Sequence, residues 1–109
     1  MITTHILDTS LGKPAANVGV IVEQLDSYGA GHPVAEGRTD ADGRIKDLLK
    51  DVAPGRYRLT FDTGAYFMTT RRETFYPSVT ITIEIADATQ HFHVPLLVSP
   101  FGYSTYRGS

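Results

Sequence analysis

The segment RYRLTF, residues 56–61, alternates polar and apolar side chains along its whole length. Tyr57, Leu59 and Phe61 fall on one side of an extended chain, and the polar residues between them fall on the other. This period of two predicts a strand with one face in a hydrophobic core and the other in solvent. Because such a strand needs a second layer against its apolar face, the segment indicates a layered β-structure.

The same alternation recurs in other parts of the chain. Residues 79–85 place a valine and three isoleucines on one side, and residues 17–25 place three valines on one side. Residues 64–72 form the only predicted helix, because Asp62 or Thr63 can cap its first turn. About eight strands at short, regular spacing with one short helix predict an all-β fold, a Greek-key β-sandwich that forms one domain over all 109 residues. The remaining predicted strands are residues 2–8, 34–39, 45–51 and the segment that begins at residue 91.

The composition excludes several functional classes. Ten basic and twelve acidic residues give a formal net charge of −2, so we expect neither nucleic acid nor an anionic membrane as a partner. The absence of cysteine excludes disulfides, thiolate catalysis and thiolate zinc sites. No apolar stretch approaches the length of a membrane span, and the first residues do not have the pattern of a signal peptide. We therefore expect a cytoplasmic protein, or a periplasmic one if a leader peptide has been removed.

The last nineteen residues, HFHVPLLVSPFGYSTYRGS, are apolar and aromatic where most domains end in a mobile tail. In an extended conformation His91 and His93 share one face, and the apolar residues on either side of His93 share the other. The apolar face predicts attachment to the core, with both imidazoles and the chain end on the opposite side. Pro95 cannot donate a ladder hydrogen bond, so we expect this strand at a sheet edge or with a bulge.

Two further side chains are candidates for the same site. His5 lies on the strand face that carries Thr3 and Leu7, where a surface imidazole is the simple interpretation. Arg44 directly follows a turn, residues 40–43, that ends in a glycine able to adopt a positive φ. Arg44 can bind a substrate, or it can pair with an aspartate of the turn. The turn does not predict a calcium site, because the further oxygen ligands and closing glutamate of such a loop are missing.

Two other kinds of chemistry lack part of the residue set that they need. His5, His91 and His93 leave a metal site open as an alternative, although no carboxylate ligand accompanies them at a suitable spacing. A serine nucleophile is not predicted, because neither Ser99 nor Ser104 follows the pattern of a nucleophile elbow.

The middle of the chain, from Gly12 to Leu59, resembles many prealbumin-like and carboxypeptidase-regulatory-type sandwiches, and that likeness concerns the fold alone. The ends carry a more specific resemblance, to the transthyretin-related 5-hydroxyisourate hydrolases of purine catabolism. Transthyretin, a thyroid-hormone carrier, shares the scaffold but lacks the terminal YRGS and the histidines that correspond to His5 and His93. The resemblance rests on residues 5–8 (HILD), Gly43-Arg44, residues 91–97 (HFHVPLL) and residues 99–109 (SPFGYSTYRGS).

This resemblance implies an enzyme and its residues. The implied reaction is hydrolysis of 5-hydroxyisourate to 2-oxo-4-hydroxy-4-carboxy-5-ureidoimidazoline, a cyclic-amide hydrolysis with no cofactor. The alternative is a small-molecule carrier of the transthyretin type. The implied catalytic residues are His5, Arg44, His93 and Ser109, and the implied substrate-binding residues are His5, Arg44, Tyr106, Arg107 and Gly108.

The chemistry of these residues fits that reaction. A histidine, His5 or His93, can take a proton from water at neutral pH. Arg44 offers a planar set of donors to an oxygen-rich substrate and stays charged as an oxyanion develops. We expect Tyr106 to cover the substrate ring and Ser109 to orient an imidazole, and we assign His91 a supporting role.

The end of the chain also predicts association. Phe101, Tyr103 and Tyr106 add more apolar surface than an edge strand of a small sandwich should leave exposed. Pairing across a two-fold axis would cover this surface, and the family resemblance implies a homotetramer built as a dimer of dimers.

Overall fold

The protein consists of two β-sheets packed face to face, as described for residues 1–109 by a computed structural model. The predicted all-β sandwich with one short helix is confirmed. It has nine strands because Lys13–Pro14 forms a two-residue strand that is too short to show an alternating pattern. The elements are β1 (Ile2–Asp8), β2 (Lys13–Pro14), β3 (Gly19–Leu25), β4 (Gly31–Arg38), β5 (Arg44–Leu49), β6 (Gly55–Phe61), α1 (Thr63–Thr69), β7 (Val79–Ile85), β8 (Phe92–Ser99) and β9 (Gly102–Thr105).

The first sheet joins the two ends of the chain. Its strands lie in the order β2-β1-β8-β9, and β5 pairs with the first half of β1 while β2 pairs with its end. β1 and β8 run parallel, with Thr3 opposite His93 and His5 opposite Pro95. Thr3 and His93 are thus neighbours although they are 90 positions apart in the sequence. The second sheet, in the order β4-β3-β6-β7, is antiparallel throughout.

The core lies between the two sheets. Nineteen buried hydrophobic residues form one cluster, drawn from both sheets and from α1. Buried and half-buried residues alternate along β1, so Ile2 and Ile6 face inward while Thr3 and His5 face outward. The inward faces predicted for residues 56–61 and for the valines of residues 17–25 are confirmed. The first sheet therefore presents the histidine-bearing face of β1 away from the core.

Pro95 predicted either a sheet-edge position or a bulge, and the edge position is wrong because β8 is an interior strand. It pairs with β1 on one side and, through residues 96–99, with β9 on the other. The pairing with the chain end is interrupted at Pro95 and resumes at His93, which pairs with Gly108. The Pro95 carbonyl accepts a hydrogen bond from the hydroxyl of Thr105 (2.7 Å). The proline is tolerated in an interior strand because it lies at a gap in the ladder, where no N–H donor is needed.

Several element boundaries differ from the sequence prediction: β3 begins later, at Gly19, and β5 ends earlier, at Leu49. β4 begins earlier than predicted, because its first residues continue the antiparallel pairing with the end of β3. The helix is shorter than predicted. Asp62 caps it by accepting a hydrogen bond from the N–H of Ala65 (3.4 Å), but Arg71 adopts a φ of 58°, which a right-handed helix cannot accommodate. The structure contains no helix with the length and apolar character that a bilayer crossing requires.

A buried carboxylate ties the helical segment to the end of β1. Asp8 is completely buried and accepts hydrogen bonds from the Tyr66 hydroxyl (2.7 Å) and the Arg72 guanidinium (2.6 Å). Burial alone would raise the pKa of Asp8, but the hydrogen bonds from Arg72, Tyr66 and Ser10 hold it well below its usual value. Burial and the hydrogen bond to this carboxylate raise the pKa of Tyr66 to about 12.

Candidate active site

Two histidines lie on the outer face of the first sheet. His5 lies on β1 and His93 on β8, and the parallel register places Thr3 beside His93 and Pro95 beside His5. Both imidazoles are on half-buried positions of their strands, on the side opposite the core. The predicted proximity of His5 to the C-terminal histidines therefore follows from the pairing of β1 with β8.

Arg44 enters this face from β5. Its backbone is the register partner of His5, so the guanidinium and the imidazole start from adjacent positions. The preceding turn is held by Asp40, whose Oδ1 accepts hydrogen bonds from the N–H groups of Asp42 (2.9 Å) and Arg44 (3.0 Å). The hydrogen bond from the Arg44 N–H is the main cause that lowers the pKa of Asp40.

Gly43 fixes where Arg44 leaves the turn. It has a φ of +74°, and its carbonyl accepts a hydrogen bond from the N–H of Ile6 (2.8 Å). A Cβ on this residue would lie 2.5 Å from the carbonyl oxygen of Ile6 and 3.0 Å from a side-chain carbon of Pro14. Only glycine fits this close approach of the turn to β1, because both the conformation and the space exclude a side chain.

The guanidinium of Arg44 makes no hydrogen bond or ion pair within the chain, although the two turn aspartates were possible partners in the sequence. Asp40 instead uses its carboxylate on backbone N–H groups. The positive charge of Arg44 is therefore available to a ligand at the face that carries the histidines.

The chain end packs against His93. The N–H of Gly108 donates a hydrogen bond to the carbonyl of His93 (2.9 Å). A Cβ on Gly108 would lie 2.5 Å from Cδ2 of the imidazole and 3.1 Å from Cγ of Pro95. The glycine is therefore needed for the contact, and it holds Ser109 beside the histidine.

A cavity of about 410 Å³ lies where these elements meet. It is open to solvent, and a larger groove of about 690 Å³ on the second sheet contains no histidine. The cavity is therefore lined by imidazole, guanidinium and chain-end groups from three separate parts of the sequence. Its lining includes the side chains of Thr3, Arg44, Lys46, His91, His93 and Ser109.

The surroundings of His93 favour its neutral form. Burial is the largest cause that lowers the pKa of this imidazole from its ordinary value of 6.5, and the positive charge of Arg44 is the next, followed by His5 and His91. A neutral imidazole near pH 7 can accept a proton. This is the protonation state that a general base requires.

Thr3 is a site residue that the sequence analysis did not identify as functional. Its Oγ1 lies 2.8 Å from Nδ1 of His93 and 2.7 Å from Nε2 of His91. Through this hydroxyl, His91 and His93 share one hydrogen-bond partner. The only sequence signal was that Thr3 shares a strand face with His5, which does not reveal the pairing with β8.

Tyr106 and Arg107 lie to one side of this cluster. The guanidinium of Arg107 donates a hydrogen bond to Oε1 of Gln90 (2.7 Å) and lies 5.0 Å from the ring centre of Phe92. Tyr106 is 60% exposed, and both residues border a groove of about 360 Å³ beside β7, which His93 also lines. Within one chain, Arg44, His93 and Ser109 therefore line one cavity, and Gly108 packs against His93. His5 lies beside Arg44 on the same sheet face but outside the cavity lining, and the Arg107 side chain is engaged elsewhere.

The metal alternative finds no ligand set in this chain. No group of three or more His, Cys, Asp or Glu side chains has an arrangement that could hold a metal ion. The histidines on the outer face of the first sheet lie beside the guanidinium of Arg44, and this positive charge would weaken the binding of a metal ion.

Comparison with known proteins places this arrangement in a family. A 5-hydroxyisourate hydrolase from Caulobacter vibrioides is 49% identical over 113 residues, which cover 99% of this chain and 97% of that protein. The solved 5-hydroxyisourate hydrolase of Klebsiella pneumoniae is 41% identical with a TM-score of 0.88, over 99% of this chain and 98% of that one. Sea bream transthyretin, solved in complex with thyroxine, is 32% identical with a TM-score of 0.93, over 98% of this chain and 93% of that one. Residues 2–108 also match the model of the HIUase/Transthyretin family, and the chain therefore belongs to that family.

Proposed function

We propose that this chain hydrolyses 5-hydroxyisourate. The observation that carries the proposal is that Arg44 and His93 line one cavity together with the chain end. His5 lies on the same sheet face, as the register partner of Arg44. These side chains can supply a base and a fixed positive charge, which hydrolysis of a cyclic amide needs. The 49% identity to the hydrolase from Caulobacter vibrioides over nearly the whole chain supports the same activity.

The substrate is a planar, oxygen-rich bicycle, and we place it in the cavity of about 410 Å³. Arg44 binds one edge of the ring through its planar set of N–H donors, because its guanidinium has no partner within the chain. Lys46 lines the same cavity and adds positive charge beside the oxygen atoms. Tyr106 is proposed to cover the open side of the ring, and Gly108 to place Ser109 against His93.

The reaction begins when water attacks a lactam carbonyl of the six-membered ring. His93 accepts a proton from the water as the new C–O bond forms, and the negative charge that develops on the carbonyl oxygen is stabilised by Arg44. The ring C–N bond then breaks, and the imidazoles of His93 and His5 share the return of a proton to the leaving nitrogen. The lowered pKa of His93 supports its role as the base, since the neutral form is available at neutral pH.

A carrier of the transthyretin type is the second candidate function. The likeness to sea bream transthyretin solved with thyroxine, with a TM-score of 0.93, favours it. A carrier has no chemical need for two imidazoles, a guanidinium and a chain end at one cavity, whereas hydrolysis uses all of them. Thyroxine titrated against the protein, with binding followed by calorimetry, tests the carrier function separately from catalysis.

We also propose that the protein assembles as a homotetramer, a dimer of dimers. Exposed aromatic side chains support association. Tyr76 makes edge-to-face pairs with Phe75 and with Tyr103, and the rings of Phe75, Phe101 and Tyr103 are exposed. β9 is an edge strand, so a second copy can pair with it across a two-fold axis. The cavity beside His93 is open on its outer side, so a second dimer facing it would close it from solvent.

The deciding experiment is to generate 5-hydroxyisourate with urate oxidase and to follow its ultraviolet decay with and without the protein. We expect acceleration over spontaneous decay, and a loss of about 10²-fold or more in Arg44→Ala. Arg56→Ala is the matched control, because Arg56 is exposed and pairs only with the equally exposed Glu84. Decay at the spontaneous rate in the presence of the wild-type protein would rule out the hydrolase function.

A further inference from the structure

The hydroxyl of Thr3 lies between two imidazoles. Its Oγ1 is 2.8 Å from Nδ1 of His93 and 2.7 Å from Nε2 of His91. A hydroxyl carries a single hydrogen, so it can donate to only one of the two rings and must accept an N–H from the other. The tautomers of the two histidines are therefore linked through this oxygen.

Two arrangements satisfy both hydrogen bonds. In the first, Thr3 donates to His91 and accepts the Nδ1–H of His93, so Nε2 of His93 keeps a lone pair. In the second, Thr3 donates to Nδ1 of His93, which places the ring proton on Nε2 and leaves no free lone pair on that imidazole. Only the first arrangement allows neutral His93 to accept a proton.

We propose that Thr3 is a positioning residue that holds His93 in the Nδ1–H tautomer, with His91 as the acceptor that fixes the direction of the Thr3 hydroxyl. This rests on the proposed function in one respect, the use of His93 as the base. Nε2 of His93 then accepts the proton of the attacking water, and the resulting imidazolium keeps its Nδ1–H hydrogen bond to Thr3. No hydrogen bond of the cluster has to break during the transfer.

The surroundings of the two rings favour this arrangement. Arg44 lines the same cavity as His93, and its positive charge disfavours the imidazolium form in which both ring nitrogens carry hydrogen. His91 is exposed, so its own ring N–H, on Nδ1, can be hydrated. The backbone is also fixed, because the His93 carbonyl is held by Gly108 and the imidazole edge is in contact with that glycine.

The first test reads the tautomer directly, without substrate. In protein labelled with ¹⁵N-histidine, long-range nitrogen–proton NMR distinguishes a protonated ring nitrogen from an unprotonated one, and His93→Gln assigns the His93 signals. We expect a protonated Nδ1 and an unprotonated Nε2 at His93 in the wild-type protein. The opposite pattern in the wild-type protein would overturn the proposal. A Thr3→Val protein should lose the preference for Nδ1–H, and an unchanged pattern in that variant would also overturn it.

The acceptor role of His91 is tested by a pair of variants. His91→Phe removes the acceptor, so the Thr3 hydroxyl becomes free to donate to His93 and the Nε2–H tautomer should increase. His91→Gln keeps a side-chain oxygen that can accept the Thr3 hydrogen, so we expect it to retain most of the Nδ1–H form. Equal tautomer populations in the two variants would contradict the role given to His91.

The second test is kinetic. Thr3→Val should lower kcat about tenfold with little change in KM, the loss that one ordinary hydrogen bond produces, and Thr3→Ser should restore it. Thr80→Val is the control, at an exposed position of β7 in the second sheet, and should leave kcat unchanged. Thermal unfolding of each variant verifies that the sandwich is intact.

The pH profile separates positioning from a merely structural role. The charged and titratable groups around His93 come from every neighbouring element. They are Arg44, Lys46 and Asp47 of β5, His5 of β1, the Met1 amine, His91, the carboxylate of Ser109, and, on the groove beside β7, Glu84, Tyr106 and Arg107. None of these groups is altered in Thr3→Val. A change in the pH at which the rate falls on the acidic side would therefore result from the changed tautomer of His93 in that variant. A wild-type rate and profile in Thr3→Val would overturn the positioning role. If the wild-type protein fails to hydrolyse 5-hydroxyisourate, the proposed function fails, while the NMR measurement still decides the tautomer.

Discussion

At the scale of single residues, His93 is the group that should control activity at low pH. Burial, followed by the charge of Arg44, lowers the pKa of this imidazole from 6.5, and its neutral form is the base. We expect kcat/KM to be constant above that pKa and to fall as the pH drops below it. In Arg44→Gln the loss of positive charge raises the pKa of His93, so the fall should begin at a higher pH. Profiles of both proteins provide the measurement, and a shift toward lower pH in Arg44→Gln would contradict the electrostatic argument.

Gly108 provides a second test at this scale. A Cβ there would lie 2.5 Å from Cδ2 of His93, so Gly108→Ala must displace either the imidazole or the chain end. We expect a loss of about 10²-fold in kcat/KM, because small displacements of a reacting group have effects of this size. Gly102→Ala is the matched control, since the nearest atom to its added Cβ would be 3.8 Å away. Similar rates in the two variants would show that the contact with His93 does not position the imidazole.

At the scale of elements, the carboxylate of Asp8 joins the end of β1 to α1 and the segment after it. Asp8→Ala removes the partner of both Tyr66 and Arg72 from a completely buried position. We expect a loss of about 3–5 kcal/mol in the free energy of unfolding at pH 7, measured by denaturant titration. Asp51→Ala, at an exposed residue, is the control.

The pH dependence of this effect has a definite sign. The folded protein holds the pKa of Asp8 far below the ordinary value of 3.8, so the stabilisation is complete above that value and is lost as the pH falls below it. The difference in stability between wild type and Asp8→Ala should therefore narrow in acid. A difference that stays constant down to pH 3 would show that packing, and not the charge of Asp8, accounts for the effect.

At the scale of the whole molecule, the last four residues should matter more to activity than to the fold. Removal of residues 106–109 deletes the pairing of Gly108 with His93 but leaves every strand and the core cluster in place. We expect loss of hydrolysis with cooperative unfolding retained. Activity assays and thermal unfolding of the truncated protein provide the measurement, and a normal rate would refute the role given to the chain end.

The proposed assembly makes a separate prediction at this scale. Light scattering during serial dilution, paired with activity at each concentration, should show that activity falls as the tetramer dissociates. This is expected because a monomer leaves the cavity beside His93 open to solvent. A monomer with full activity would contradict a shared or closed site.

Much of the sandwich follows from the sequence because the burial of one strand face is a local property. The alternation of Tyr57, Leu59 and Phe61 determined which side of β6 faces the core, and the structure buries all three. The turn before Arg44 is local in the same sense, since Gly43 adopts the positive φ that its neighbours resist. The sequence therefore determined the strands, their inward faces and the exit point of Arg44.

Which strands pair with each other depends instead on how the whole chain folds together, and a local sequence pattern does not determine this. Only the tertiary structure placed β1 parallel to β8, and this pairing sets Thr3 between His91 and His93. It also made β8 an interior strand in spite of Pro95, since the gap in its ladder is opposite the irregular chain end. The sequence showed which residue types the site contains. The distances between them were decided by the long-range pairing of strands, because burial of the apolar faces of two strands selects one register.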